Sequence, residues 1–200
     1  MSEELQQAKH PVSALLAGPY GHPLHPVLVT VPIGAWVAAT VFDVASHLVD
    51  EPAFLAQGAW WLLLIGVVGA LGAALVGFLD LLAIPPGTPA FRTALVHMAL
   101  NLAVTVGYLG GFVWRRAAGV GPAAVPWGPV VLSLCCLAVL AVSGFLGGKL
   151  AFRYGVRVAD EATQAEGYRG AAAHPRTPGT GPAGTPANGE DSPFPPIARR

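Results

Sequence analysis

The stretch GAWWLLLIGVVGALGAALVGFL occupies residues 58–79 and holds no ionisable side chain. A helix of about 20 residues crosses the roughly 30 Å of hydrocarbon in a lipid bilayer. Three further apolar runs come near this length, and the predicted spans are residues 27–49, 58–80, 94–114 and 127–149. The sequence therefore predicts an integral membrane protein with four transmembrane helices.

The composition agrees with a lipid bilayer as the solvent and main partner. Of the 200 residues, 54% are hydrophobic and 11% are charged, which leaves too little polar surface for a water-soluble globule. Because no basic segment is interleaved with aromatic residues, nucleic acid is not expected as a partner. The adjacent Cys135 and Cys136 lie inside the fourth apolar run, where we expect them to pack as small hydrophobic side chains.

The connections between the apolar runs are short and rich in proline, which favours antiparallel neighbours. We therefore predict an all-α fold, an up-down-up-down four-helix bundle over residues 22–158. Residues 1–21 form a polar leader. Residues 159–200 are rich in Pro, Gly and Ala, and this composition predicts a disordered tail.

Small residues in the second span recur at spacing four, which lets a neighbouring helix approach closely. The two rows are Gly66, Ala70, Ala74 and Gly69, Ala73, Gly77. Asp80 follows Gly77 by three residues, so its carboxylate is expected to point into the bundle. In the first span, Pro32 removes a hydrogen bond to the Leu28 carbonyl and predicts a kink.

Polar residues from three spans are expected to converge at one end of an antiparallel bundle. These candidates are His22, His25, Asp80, His97 and Asn101. In one interpretation, His97 and one of His22 or His25 ligate a transition metal or a haem iron, and Asp80 is a further ligand or accepts from an imidazole. In the other, Asp80 contacts His97 and Asn101 bonds a neighbouring helix, so that the cluster only stabilises packing.

A second polar group is predicted near the opposite end of the first span. Asp43 and His47 are four residues apart and share a helix face, and Arg115 and Arg116 close the third span on the same side. We expect a structural ion-pair network there.

Four motifs in the chain carry a resemblance to a known family. They are GHPLHPVLVTVPIGAW at residues 21–36 followed by Phe42-Asp43, GFLD at residues 77–80, His97 with Asn101, and GGKLAFRYGVRV at residues 147–158. The sequence resembles, over about residues 19–158, a bacterial membrane protein family known as domain of unknown function 2231. The resemblance implies a four-helix membrane protein. Some relatives are joined to a Rieske-type iron–sulfur domain, which implies membrane redox chemistry.

Three functions are compatible with these observations. The first is a redox-associated module that binds haem b or a transition metal. The second is a small proton-coupled transporter or channel, and the third is a non-catalytic scaffold or assembly subunit. Each of the three is compatible with a homo-oligomer. No further cysteine and histidine motif for an iron–sulfur cluster is present, so we expect any electron-transfer partner to be a separate protein. Without a recognisable nucleophile–base pair or phosphate-binding loop, hydrolytic and nucleotide-driven enzymes are disfavoured.

The basic residues near the span ends predict the orientation. Arginine outnumbers lysine while Ala, Gly and Pro abound, which indicates a GC-rich bacterial genome and so the cytoplasmic (inner) membrane. One side of the bundle carries five basic residues and the other carries Arg115 and Arg116; the five are Lys9, Arg92, Lys149, Arg153 and Arg157. By the positive-inside rule, both termini are cytoplasmic.

This orientation can be tested with single cysteines in a variant lacking Cys135 and Cys136. A cysteine at residue 5 or 180 should react with an impermeant reagent only after cell lysis, whereas one replacing Asp50 should react in intact cells. Labelling at residue 5 or 180 in intact cells would show that the termini are external.

Overall fold

The computed structural model describes residues 3–119 and 122–168, and these residues form helices and no strands. The predicted all-α class is confirmed. The helices are α1 (Glu3–Lys9), α2 (Ala14–Ala17), α3 (His25–Leu28), α4 (Thr30–Ala45), α5 (Ala53–Leu82), α6 (Pro89–Ala118), α7 (Trp127–Gly148), a π-helical turn (Lys149–Arg153) and α8 (Glu161–Glu166).

Four segments are long and apolar enough to cross a membrane: His25–Ala45, Ala53–Leu82, Pro89–Ala118 and Trp127–Arg153. The second and third each hold 30 residues and are longer than predicted. At 1.5 Å per residue, such a helix measures about 45 Å and reaches through the headgroup layers. The first span ends at Ala45, short of the predicted residue 49.

Local chemistry sets several of these helix ends. At the start of α6, the Thr88 hydroxyl accepts from the Phe91 amide at 3.1 Å, and Pro89 occupies the first helical position. The helix ends before Gly119, whose φ of 78° stops helical continuation. At the end of α4, the Ser46 hydroxyl donates to the Asp43 carbonyl at 2.6 Å and accepts from the Val125 amide at 3.1 Å. This exchange ties the end of α4 to the connection that precedes α7.

The first span is interrupted at Val29, between α3 and α4. The interruption lies beside the Leu28 carbonyl, which cannot accept a backbone bond from Pro32. The helix is therefore interrupted next to the carbonyl that lacks its hydrogen bond, as the prediction of a kink at Pro32 implies.

The four spans pack as a bundle in which α4 contacts α5 and α7, and α6 contacts the same two helices. Its core holds Trp36, Leu63, Val104, Tyr108 and Cys136. Trp36 stacks on Tyr108 with ring centroids 4.3 Å apart and joins the first span to the third.

The small residues of α5 face the first span, as their spacing predicted. A Cβ added at Gly69 would lie 2.8 Å from Val31, and one at Gly77 would lie 2.8 Å from the His25 ring. At Gly66 it would overlap the indole of Trp36. The approach of these two spans thus depends on glycine.

The leader and the segment after the fourth span also pack together. Lys9 and Ala17 are buried, the Lys9 ammonium donates to the Ala159 carbonyl at 3.3 Å, and the Asp160 amide donates to the Tyr20 hydroxyl at 2.6 Å. A hydrogen bond from the Thr163 amide to its carboxylate holds the pKa of Asp160 below the usual value. Residues 159–168 of the predicted tail include α8, and the expectation of disorder for residues 169–200 lies outside the described residues.

Replacing Gly66 by alanine should lower the apparent melting temperature in detergent. The added methyl group overlaps Trp36 in the core, and overpacking of this kind costs about 1–3 kcal/mol. The matched control is Gly72→Ala in the same helix, where an added Cβ meets nothing within 4 Å. Equal melting temperatures for the two variants would contradict the packing.

Candidate functional site

His25 and His97 face each other across the bundle. Their ring centroids are 6.3 Å apart, and the ring planes make an angle of 86°. His25 begins α3 and His97 lies in the third turn of α6, so the two imidazoles come from the first and third spans. Both side chains are half-buried.

Each ring uses Nδ1 to contact a backbone carbonyl of another span. His25 Nδ1 lies 2.9 Å from the Ala73 carbonyl oxygen, and His97 Nδ1 lies 2.8 Å from that of Ser143. A carbonyl only accepts, so Nδ1 carries the proton in each case. Both rings are therefore held in the tautomer whose Nε2 can accept a hydrogen bond or bind a cation.

A glycine leaves room for each ring. A Cβ added at Gly77 would lie 2.8 Å from His25 Cε1, and one at Gly147 would lie 3.1 Å from His97 Cε1. The two glycines belong to α5 and α7, the helices whose carbonyls accept from the rings. Each imidazole thus lies in a cradle that a side chain would fill.

Asn101 lies one turn after His97 and contacts it twice. Its amide nitrogen is 2.9 Å from the His97 carbonyl oxygen and 3.1 Å from Nε2. The Ser143 hydroxyl also lies 3.0 Å from His97 Nδ1. Asn101 therefore contacts its own helix, not the neighbouring helix that we expected.

We predicted that Asp80 contacts His97, but the hydrogen-bonding partner of Asp80 is Arg157 instead. The Arg157 Nε donates to the Asp80 carboxylate at 2.8 Å, and the two residues are 3% and 9% exposed. The inward direction of Asp80 agrees with its position after Gly77. Since both imidazoles already have carbonyl partners, the guanidinium takes the carboxylate.

Arg157 joins Asp80 to the leader. Its terminal nitrogens donate to the carbonyls of Ala17 at 3.0 Å, Gly18 at 2.9 Å and Lys9 at 3.3 Å. A guanidinium can make these bonds together because its five donors form a rigid fork. The backbone of Arg157 has φ of 60°, which costs an ordinary residue about 1–2 kcal/mol. The side-chain bonds hold it in this strained conformation.

Sequence reasoning named Arg157 only as a charge near a span end. Two signals point to a larger role: it lies in the closing motif at residues 147–158, and the inward Asp80 requires a cation. Neither signal shows that Arg157, and not the nearby Lys149 or Arg153, is the partner of Asp80.

His22 is exposed, with Nδ1 3.4 Å from the Tyr20 carbonyl oxygen. The structure shows no hydrogen bond or ring contact from it to His25 or His97. In residues 3–119 and 122–168, no three or more His, Cys, Asp or Glu side chains are grouped to hold a metal ion. The convergence expected for His22, His25, Asp80 and His97 is thus reduced to a facing histidine pair beside an ion pair.

The opposite end of the bundle holds a second ion pair. Arg115 donates to the two carboxylate oxygens of Asp43 at 2.6 and 2.7 Å, and the Ser133 hydroxyl donates to the same carboxylate at 3.3 Å. Asp43 is fully buried and Arg115 is 5% exposed. His47 instead stacks on Trp127 with centroids 4.3 Å apart, and Arg116 is exposed. The expected network therefore involves Asp43 and Arg115 but neither His47 nor Arg116.

The fold and this polar interior define a four-span helical membrane protein with a histidine pair between its first and third spans. A family model described as "Predicted membrane protein (DUF2231)" matches residues 21–160, and the chain belongs to this family. The comparison with curated proteins found no match, and the comparison with solved structures found none either.

Replacing Arg157 by glutamine should destabilise the protein strongly, because Asp80 would remain buried without its partner. Removing one member of a buried ion pair costs about 3–5 kcal/mol. The control is Arg153→Gln, which changes an exposed arginine at the same end and should have little effect. The measurement is the apparent melting temperature in detergent.

A second variant separates the ion pair from the bonds to the leader. Adding Asp80→Asn to Arg157→Gln removes the unpaired charge and should restore part of the stability. An Arg157→Gln variant as stable as the parent would mean that the pair does not hold the two segments together.

Proposed function

We propose that His25 and His97 ligate a haem iron from opposite sides and that the chain is a redox module of the bacterial cytoplasmic membrane. The observation that carries the proposal is the 6.3 Å separation of the two ring centroids. Metal–imidazole bonds measure about 2.0–2.1 Å, and a ring nitrogen lies roughly 1.1 Å from its centroid. Two imidazoles on opposite sides of one ion therefore have centroids about 6.3 Å apart.

The hydrogen bonds support the same assignment. Metal-binding histidines typically donate their other ring N–H to a carbonyl or carboxylate, which fixes the ring and its tautomer. His25 and His97 do so through Ala73 and Ser143. Asn101 contacts His97 Nε2, but its amide also donates to the His97 carbonyl at 2.9 Å. It therefore keeps a partner when Nε2 binds iron.

The number of protein donors favours haem over a bare transition metal. Zinc and similar ions take three or four protein ligands, and no such group occurs among the described residues. Haem brings four nitrogen ligands of its own and needs one or two from the protein. The two histidines meet that need, and the glycine cradles at Gly77 and Gly147 let the rings lie between the helices.

Haem supplies one-electron chemistry when bound. With both histidines holding the iron, no site on it would remain for a substrate or oxygen, which would favour electron transfer over catalysis. The chain's part is to orient the two imidazoles and to exclude water. Electrons would reach and leave the site through a separate protein.

The test is the absorption spectrum of the full chain, expressed with haem supplied and purified in mild detergent. We expect one haem per chain and the spectrum of iron with two histidine ligands. His25→Ala and His97→Ala should each lose that spectrum, whereas His22→Ala, which changes an exposed histidine three residues away, should keep it.

Melting temperatures measured on the same samples separate loss of haem from loss of the fold. A folded parent chain that purifies without haem would contradict the proposal and favour a structural role for the cluster. Retention of the spectrum in both alanine variants would place haem elsewhere.

A further inference from the structure

A groove opens on the surface of the fourth span near its end. It is shallow and open, has a volume of about 430 Å³, and is lined by Phe145, Gly148, Lys149, Phe152 and Arg153. These residues cover the end of α7 and the π-helical turn that follows it.

One part of the groove is apolar. Phe145 is 74% exposed and Phe152 is 92% exposed, so the bundle covers neither ring. Gly148 lies between them, and a Cβ there would meet only Phe152, at 3.9 Å. Because glycine has no side chain, the surface between the two phenylalanine rings stays open.

The other part of the groove is basic. Among the described residues, neither Lys149 nor Arg153 forms an ion pair with a carboxylate. The Lys149 ammonium lies 5.5 Å from the centroid of the Tyr154 ring, and the Tyr154 amide donates to the Lys149 carbonyl at 3.1 Å. This wide turn is a π-helix, a distortion that is frequent at functional sites.

The position of the groove indicates what can reach it. Phe145 is eight residues before Arg153, and eight residues of helix measure about 12 Å. Because the fourth span ends at Arg153, Lys149, Phe152 and Arg153 lie toward the lipid headgroups, and Phe145 lies deeper in the hydrocarbon. An occupant must therefore carry a negative charge at one end and an apolar chain at the other.

We propose that this groove binds an anionic phospholipid. The headgroup phosphate lies between Lys149 and Arg153, and an acyl chain lies over Gly148 between the two phenylalanines. Basic residues at a membrane surface attract anionic lipids. The apolar part of the groove also gives the acyl chain a surface to contact. The assignment is independent of the histidine pair and of any haem.

The experiment is native mass spectrometry of the full chain in mild detergent with phosphatidylglycerol or phosphatidylcholine of identical acyl chains. The parent should bind phosphatidylglycerol more tightly. The double variant Lys149→Gln/Arg153→Gln should lose about fivefold in affinity for each removed charge. Arg116→Gln, which changes an exposed arginine at the other end of the bundle, should keep the preference.

The apolar part of the groove is tested without changing any charge. Gly148→Leu fills the open surface and should weaken binding of both lipids, whereas Gly110→Leu, at an exposed glycine with open space around it, should not. Melting temperatures of all variants establish that they fold. Equal binding of the two lipids by the parent, or full retention of the preference in the double variant, would overturn the proposal, and unchanged binding by Gly148→Leu would overturn the assignment of the acyl chain.

Discussion

The need to pair polar groups inside the protein governs this structure, because hydrocarbon offers no water to solvate them. Apolar side chains cannot by themselves specify how the helices pack, since lipid tails are as apolar as leucine. The specific contacts are therefore polar or depend on glycine. Asp43 and Arg115 pair at one end, Asp80 and Arg157 pair at the other, and His25 and His97 donate to carbonyls of neighbouring spans. Each contact joins residues that are at least 46 positions apart in the sequence.

The Asp80–Arg157 pair extends this principle beyond the last span. Arg157 follows the π-helical turn, yet it is buried and binds the second span and the leader at once. Its positive φ is tolerated because several side-chain bonds hold it. The membrane domain therefore includes the segment after the fourth span, and the family match to residue 160 covers that segment.

Features that follow from the length of an apolar run or from the spacing of residues could be predicted from the sequence. The partner of a polar side chain could not, where several similar groups could serve as that partner. Hydropathy predicted four spans, and the spacing from Gly77 predicted that Asp80 points inward. The partner of Asp80 was missed because Arg157 lies outside the apolar runs, where a charge is ordinarily solvated. The partners of His25 and His97 are backbone carbonyls, which every residue carries and which therefore leave no sequence signal. His22 shares the His-Pro pattern of His25, but it precedes α3 and stays on the surface.

A structural role and a ligand role make different demands on the two histidines. Packing alone explains why each Nδ1 meets a carbonyl, but an amide or hydroxyl side chain could make the same single bond. It does not explain the second nitrogen of His25, for which the described residues provide no hydrogen bond. Packing does explain the glycine beside each ring, because an added Cβ would lie 2.8 Å from His25 at Gly77 and 3.1 Å from His97 at Gly147. The ligand proposed above would give the Nε2 of His25 a partner, and it would replace Asn101 as the partner of the His97 Nε2.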